Sequence, residues 1–428
     1  MHIQRVEISN IKGLRSATLE FGVAPLAGWH VVLGDNGSGK TTIIRAIAAA
    51  LVGPQDVAGL RVDWEAWFGP DKHTPKVEVW PEANPTDDPA EEADSSGGGE
   101  GQPKAGPQVS LELWTTRSHP SGATGAVQAW GGVHVEGAFR PARAPVGWFS
   151  AAFGPSRSFA DSGGDYRRIF DSSPRVARHI SAFREHLALR ETELWVVDLQ
   201  RDGHLDEVNA IRAFLNLGDD LPHGLRLQAV SNRELRFVDG HGAEVPLAEL
   251  SGGAQSVLGL ALELLRQMAA CWGGVLEVLD PATSTVRRSG VVLIDEVDAH
   301  LHPSWQATVG AWLTARFPQV QFVVSTHSPL VCRAIRETGR VFRLRPAAEG
   351  GDQVEAVRGT DRDILWLGGL EQALESAAFQ LDVGMSPAGV ESLTRYRALR
   401  LAGRERDLSD AERAELQRLR AVHVVAGV

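Results

Sequence analysis

Gly34-Asp35-Asn36-Gly37-Ser38-Gly39-Lys40-Thr41 lies between an apolar stretch, Trp29 to Leu33, and a helical stretch rich in Ile and Ala, Thr42 to Leu51. Glycines at this spacing let the backbone curl until successive N–H groups point inward at phosphate oxygens. The helix that follows adds the partial positive charge of its N-terminus. The loop is therefore expected to hold a nucleoside triphosphate through Gly34, Asn36, Gly37, Ser38 and Gly39, with Thr42 in the first helical turn. Lys40 would reach the β- and γ-phosphates, and the Thr41 hydroxyl would take a position on magnesium.

Composition bounds what surrounds this loop. A chain of 428 residues, 43% hydrophobic and 23% charged, has the make-up of a globular protein and the length for two or three average domains or for one large α/β unit with insertions. The net charge of -11 argues against a protein that coats nucleic acid with its whole surface, and leaves room for a local basic groove. Cys271 and Cys332 are far apart and in no metal-ligand spacing, which fits a reduced, cytoplasmic protein. Met1 to Glu7 lacks the apolar core of a signal peptide, and no apolar run is long enough to span a membrane.

Three motifs in the second half carry further chemistry. Val291-Val292-Leu293-Ile294-Asp295-Glu296 reads as a buried parallel strand whose C-terminal end opens on a ligand site. Asp295 is placed to hold the hydrated magnesium ion, and Glu296 to orient or deprotonate the attacking water. Leu250-Ser251-Gly252-Gly253 heads a long apolar helix, a second anion-binding helix N-terminus or a plain N-cap. Phe322-Val323-Val324-Ser325-Thr326-His327-Ser328-Pro329 is another apolar strand, ending in a histidine able to hydrogen-bond a γ-phosphate.

In this order the four motifs resemble those of the ATP-binding cassette ATPases: phosphate loop, LSGG-type signature, acidic pair and switch histidine. The opening Ile8-Ser9-Asn10-Ile11-Lys12-Gly13-Leu14 is similar to the RecF/SMC-like branch. Asp295-Glu296-Val297-Asp298-Ala299-His300-Leu301-His302-Pro303-Ser304-Trp305-Gln306 is similar to the "DE…HLHP.WQ" block of AAA_21 and OLD-like ATPases. Within that group the likeness is to the stand-alone ATPases of Septu and retron-associated antiphage systems. The resemblance implies an α/β fold: an ABC-type P-loop ATPase head with a mixed N-terminal β lobe, a parallel-sheet core, a helical signature lobe and a short helical C-terminal tail. It implies ATP and Mg2+ as ligands and a homodimer that sandwiches ATP. Ser251, Gly252 and Gly253 would then act in trans, with Asp298 along the interface. Lys40, Glu296 and His327 would be the catalytic set, with Thr41 and Asp295 on the metal. It further implies a separate nuclease or other effector as partner and a role in antiphage defence. The rival is a RecF-like repair clamp that binds DNA directly. A transporter subunit fits less well, because the HLHP block and the N-terminus point elsewhere.

The ATPase domain is expected over residues 1–345, with a flexible insertion at 81–107 and a lobe insertion at about 140–225. Residues 76–80 and 109–115 read as strands, and Pro81 to Pro107 is too rich in Pro, Gly, Ser and acids to bury a core. The family's glutamine loop is not identifiable; Gln128 and Gln200 are the candidates. Arg167, Arg168, Arg175, Arg178, Arg184 and Arg190 form either a surface facing DNA or a partner, or a solvated helical face paired with Asp165, Asp171 and Glu185. His300 and His302 have no third ligand and are read as structural. Residues 346–428 form a helical region available for partner docking: helices over 360–370 and 371–381, a break at Met385-Ser386-Pro387-Ala388, and a capped start at Ser409-Asp410-Ala411-Glu412. Leu408, Leu416 and Leu419 are expected to pack on the body or on another protein. No Toprim or His-Asn-His nuclease pattern is found.

Overall fold

The computed structural model describes residues 1–23, 25–53, 56–67, 73–82, 108–115, 127–135, 138–140, 149–158, 169–170, 172–184, 187–188, 190–218, 221, 224–345, 351–380, 387–405 and 408–424. Strands β1 (His2–Ile11), β2 (Leu14–Glu20), β4 (Lys76–Glu82), β5 (Gln108–Thr115), β6 (Val127–Val135) and β7 (Ala138–Arg140) form one antiparallel sheet in the order 2-1-4-5-6-7. A second sheet joins β3 (Gly28–Leu33), β8 (Ser150–Phe153), β14 (Gly290–Ile294), β15 (Val320–Thr326), β16 (Val341–Leu344) and β17 (Val354–Val357) in the order 17-16-3-15-14-8. All its pairs are parallel except the edge pair β16 with β17. Smaller pieces are the pair β9 (Arg157–Ser158) and β10 (Leu187–Ala188), and the meander β11 (Arg226–Val230), β12 (Leu235–Val238) and β13 (Glu244–Pro246).

The two large sheets differ because their sequences do. On β1, Ile3, Val6 and Ile8 are buried while Arg5 is exposed, the uneven alternation of a sheet with one covered face. Gly290–Ile294 and Val320–Thr326 are buried at every residue, as parallel strands covered on both faces must be. The helix after the phosphate loop, Lys40–Val52, packs against β1, β4 and β5 of one sheet and β8, β14 and β15 of the other. That double contact explains a helix apolar nearly all round, with Ile43, Ile44, Ile47 and the run Ala48 to Ala50 fully buried. It stops at Gly53, whose φ of 88° suits a residue without a side chain.

Helices Arg190–Arg201, Leu205–Leu215, Gly252–Trp272 and Val275–Val278 pack together as a lobe. Its interior holds a fully satisfied carboxylate. Glu263, buried in the middle of Gly252–Trp272, accepts from Thr192 (2.7 Å), Arg266 (2.8 Å to each oxygen) and Gln267 (2.7 Å). Helix Pro303–Arg316 ties lobe to core. Gly310 lies so close to Trp29 and Ala334 that a Cβ there would stand 2.8 Å from Trp29 Cε2 and 2.4 Å from Ala334 Cβ. Overpacking of this kind costs about 1–3 kcal/mol. Gly310→Ala is therefore expected to lower the thermal midpoint, and an unchanged melting curve would refute the tight contact.

At the C-terminus, helices occupy Gly359–Leu367 and Leu370–Glu375, both shorter than expected. The break falls at Gly368, where a Cβ would meet the Ile364 carbonyl oxygen at 2.6 Å. Helices Pro387–Glu405 and Asp410–Val424 pack as a hairpin around Tyr396, Leu399, Leu416 and Leu419, a cluster separate from the main core. Ser409 and Glu412 bond reciprocally at the start of the last helix, the expected capping box. Of the arginine-rich stretch, Arg178 is not on the surface: it is 6% exposed and donates to the Ser150 carbonyl (3.1 Å) and to Cys271 Sγ (3.0 Å). Arg167, Arg168, Asp165, Asp171, Glu185 and the greater part of the 81–107 insertion lie outside the described residues. No described helix is long and apolar enough to cross a membrane.

Candidate nucleotide site

The register of the parallel sheet assembles the motifs. Leu33 pairs with Thr326, so Gly34 and His327 leave the sheet side by side. Ile294 pairs with Val324, so Asp295 emerges beside Ser325. These carboxyl ends share one edge, the place where open α/β sheets bind ligands.

The loop has the backbone its glycines predict. Gly37 and Gly39 have φ of 78° and 109°, values that a side chain disfavours. A Cβ on Gly39 would also press on Leu14 Cδ2 at 3.0 Å, so the β1–β2 hairpin seats directly on the loop. Lys40 is buried and its Nζ donates to the carbonyls of Gly34 (2.8 Å) and Asp35 (2.9 Å). Burial lowers its pKa, while the carboxylates of Glu296, Asp295, Asp298 and Asp35 act in the opposite direction. Thr41 and Thr42 are half-buried in the first helical turn, and Asn36 and Gly37 are exposed at the loop's tip.

Across from the loop, Asp295 is 1% exposed. Its Oδ1 accepts from Ser325 Oγ at 2.6 Å, and its N–H donates to the Phe153 carbonyl at 2.8 Å. Glu296 has φ of 46°, a left-handed conformation that costs a residue with a side chain about 1–2 kcal/mol. Its N–H donates to the same Ser325 Oγ at 2.8 Å, and the Val297 N–H donates to the Ser325 carbonyl at 3.0 Å. Asp298 follows in the turn, with Oδ1 buried and without a hydrogen-bond partner among the described residues.

His327 is half-buried at the end of β15. Its loop is tied down: Ser328 Oγ donates to Gln306 Oε1 (2.7 Å), and Gln306 Nε2 donates to the Leu301 carbonyl (2.9 Å). The HLHP block is thus a clamp. His302 is the N-cap of Pro303–Arg316, its ring accepting from the Ser304 N–H, with Pro303 opening the helix. His300 adopts φ of 62° in the turn before it.

Ser251 caps Gly252–Trp272 by accepting from the Ala254 N–H at 3.3 Å. Ser251 and Gly252 are exposed, while Gly253 packs over Leu301 and Trp305. Among the described residues no hydrogen bond links 251–253 to the loop at 34–41. The structure gathers the loop, Asp295, Glu296, Asp298 and His327, and leaves the signature facing outward.

Two family models match the chain: "AAA domain, putative AbiEii toxin, Type IV TA system" over residues 151–333, and "AAA domain" over 5–79. The chain is similar to "Retron Vc95 probable ATPase" of Vibrio cholerae serotype O1 biovar El Tor, 36% identical over 96 residues, 22% of this chain and 17% of that one. It is also similar to "Septu protein PtuA" of Bacillus mycoides (strain KBAB4), 25% identical over 338 residues, 78% of this chain and 39% of that one. These matches span well under half of either relative. The SMC head domain from Thermotoga maritima, 16% identical, superposes with a TM-score of 0.44 over 84% of this chain and 100% of that one.

The two matched regions together contain the loop at 34–41, the signature at 251–253, the acidic pair and His327.

Neither glutamine candidate stands at the carboxylates. Gln200 lies on helix Arg190–Arg201 and Gln128 on β6. The backbone beside Asp295 belongs to Phe153, and the chain continues into Gly154-Pro155-Ser156. Gly154 fits there because a Cβ would stand 2.4 Å from the Ser181 carbonyl oxygen. Nothing in the sequence reveals which strand neighbours β14, so this segment is not legible there as part of the site. Ser325 is the other residue that motif reading passes over. Its signal is a hydroxyl ending an apolar strand two residues before the histidine.

Proposed function

We propose that this chain is an ABC-type ATPase that binds and hydrolyses ATP as a nucleotide-gated dimeric switch and controls a separate effector, a nuclease in antiphage defence. The observation that carries the reading is the sheet register, which brings the loop after Leu33, the acidic pair after Ile294 and His327 after Thr326 to one edge. A buried ammonium and a set of carboxylates on opposite walls suit a polyanion on one side and a cation with water on the other.

The donor set fits magnesium. The Thr41 hydroxyl and the Asp295 carboxylate are hard oxygen ligands of the kind that ion takes beside phosphate oxygens. The ion would supply charge neutralisation on the β- and γ-oxygens. The chain's own residues do the rest. Loop N–H groups and Lys40, released from the Gly34 and Asp35 carbonyls, bind the phosphates. Glu296 accepts a proton from water as its oxygen bonds to the γ-phosphorus, and the bond to the β–γ bridging oxygen breaks, leaving ADP and phosphate. His327 donates a hydrogen bond to the γ-phosphate, and Asp298 lies along the contact with a second protomer. That protomer brings Ser251, Gly252 and Gly253, at the N-terminus of its signature helix, to the same phosphate, so ATP joins the pair and hydrolysis releases it. The antiphage role rests on likeness to retron and Septu proteins. The rival DNA clamp loses one of its arginines, because Arg178 points inward.

Lys40→Ala tests the site. Charge-assisted hydrogen bonds contribute about 1.5–3 kcal/mol, so binding of a fluorescent ATP analogue with magnesium should weaken roughly tenfold to hundredfold. Unaltered affinity would place the nucleotide elsewhere.

A further inference from the structure

We propose that Ser325 is a positioning residue for hydrolysis, one hydroxyl that sets both the metal-binding carboxylate Asp295 and the backbone of the base Glu296. The proposal rests on the nucleotide-site reading above and adds to it a residue outside the four motifs' expected chemistry. The geometry is specific. Ser325 Oγ donates to Asp295 Oδ1 at 2.6 Å and accepts from the Glu296 N–H at 2.8 Å. A hydroxyl has one proton to give, and here it goes to Asp295. The Ser325 side chain is wholly buried, so water does not readily take over either bond if the hydroxyl is removed.

Each bond has a consequence. The first fixes the orientation of the Asp295 carboxylate. A hydrogen bond of this kind to a metal-ligating carboxylate fixes its direction, and its loss commonly costs tenfold to hundredfold in metal affinity or activity. The second holds Glu296 in its left-handed conformation, with φ of 46°, so the direction in which the carboxylate leaves the chain depends on this N–H having a partner. A third link is backbone: the Val297 N–H donates to the Ser325 carbonyl at 3.0 Å. Ser325 lies two residues before His327, which follows the end of β15. The acidic pair and the γ-phosphate sensor are therefore joined as one unit, and a displacement of His327 is felt at Asp295 and Glu296 through this side chain. Valine or isoleucine here would be as well buried and would keep the backbone link, but would supply neither of the two side-chain bonds.

The test compares wild type, Ser325→Ala and Ser325→Thr. The readouts are phosphate release, affinity for a fluorescent ATP analogue in EDTA, and Mn2+ binding by electron paramagnetic resonance with a non-hydrolysable ATP analogue bound. For Ser325→Ala we expect kcat to fall at least tenfold and the Kd for Mn2+ to rise about tenfold. Metal-free nucleotide affinity should stay within about twofold, because loop and Lys40 are intact. Ser325→Thr keeps the hydroxyl and should recover the Mn2+ affinity. Thermal melts of each variant establish that it is folded. A folded Ser325→Ala protein with wild-type Mn2+ affinity and kcat overturns the proposal, and so does a Ser325→Thr protein that binds Mn2+ no better than Ser325→Ala. Failure of the underlying reading would look different: wild type itself would release no phosphate and bind no Mn2+–nucleotide.

Discussion

Glu296→Gln is expected to lower the rate of phosphate release by about 10²–10⁴-fold, the usual contribution of a positioned base, while leaving ATP bound. The amide has nearly the shape of the carboxylate and keeps the backbone N–H that Ser325 holds, so the left-handed turn at Glu296 need not relax. What is lost is the ability to accept a proton from water. One negative charge also leaves the wall facing Lys40, which favours retention of the anionic nucleotide. Steady-state phosphate release alongside equilibrium ATP binding separates the two effects. Turnover within a few-fold of wild type would remove Glu296 from the role of base, whatever the behaviour of Lys40→Ala.

Arg316→Ala is expected to destabilise the fold by about 3–5 kcal/mol, a lower thermal midpoint by roughly 3–6 °C for a chain this long. Arg316 is wholly buried and has carbonyls as its hydrogen-bond acceptors: Phe214 (3.1 Å), Leu215 (3.0 Å), Leu217 and Trp312 (3.3 Å). Its guanidinium also lies 4.0 Å from the centre of the Trp312 ring. The first three carbonyls belong to the last turn and exit of helix Leu205–Leu215, where the negative end of the helix dipole favours a cation. Removing the side chain leaves acceptors unsatisfied in a dry interior, each costing about 1–3 kcal/mol, and opens a cavity. Arg316→Lys should recover only part of the loss, because an ammonium cannot reproduce the planar fork. A melting curve for Arg316→Ala that overlays wild type would show that the site is not the dry seam it resembles.

The legible parts of this chain are those where chemistry and backbone geometry demand the same residues. Gly37, Gly39 and Lys40 announce the loop because few other residue types could form it. Asp295 and Glu296 announce the strand end because apolar runs seldom finish in two carboxylates. The fully buried strands at 290–294 and 320–326 were legible for a related reason, since parallel strands need no polar face. What stayed hidden depends on neighbours distant in sequence. Nothing local places Phe153-Gly154 beside Asp295, so the sequence offers Gln128 and Gln200 as glutamine-loop candidates although neither stands there. Nothing local shows that Arg178 turns inward toward Ser150 and Cys271, so it was counted with a charged surface. The helices after residue 358 are shorter than composition suggests: the first ends before the Gly368-Gly369 pair, a helix-breaking signal, and the second stops at Glu375.

The central claim, that ATP joins two copies of this chain through its loop and signature, is tested most directly by mass. Light scattering on the eluting Glu296→Gln protein, with and without ATP and magnesium, measures it in solution. The account predicts twice the protomer mass with ATP, and protomer mass both without it and with ATP when Ser251→Arg is added at the exposed signature. The same mass with and without nucleotide would contradict it.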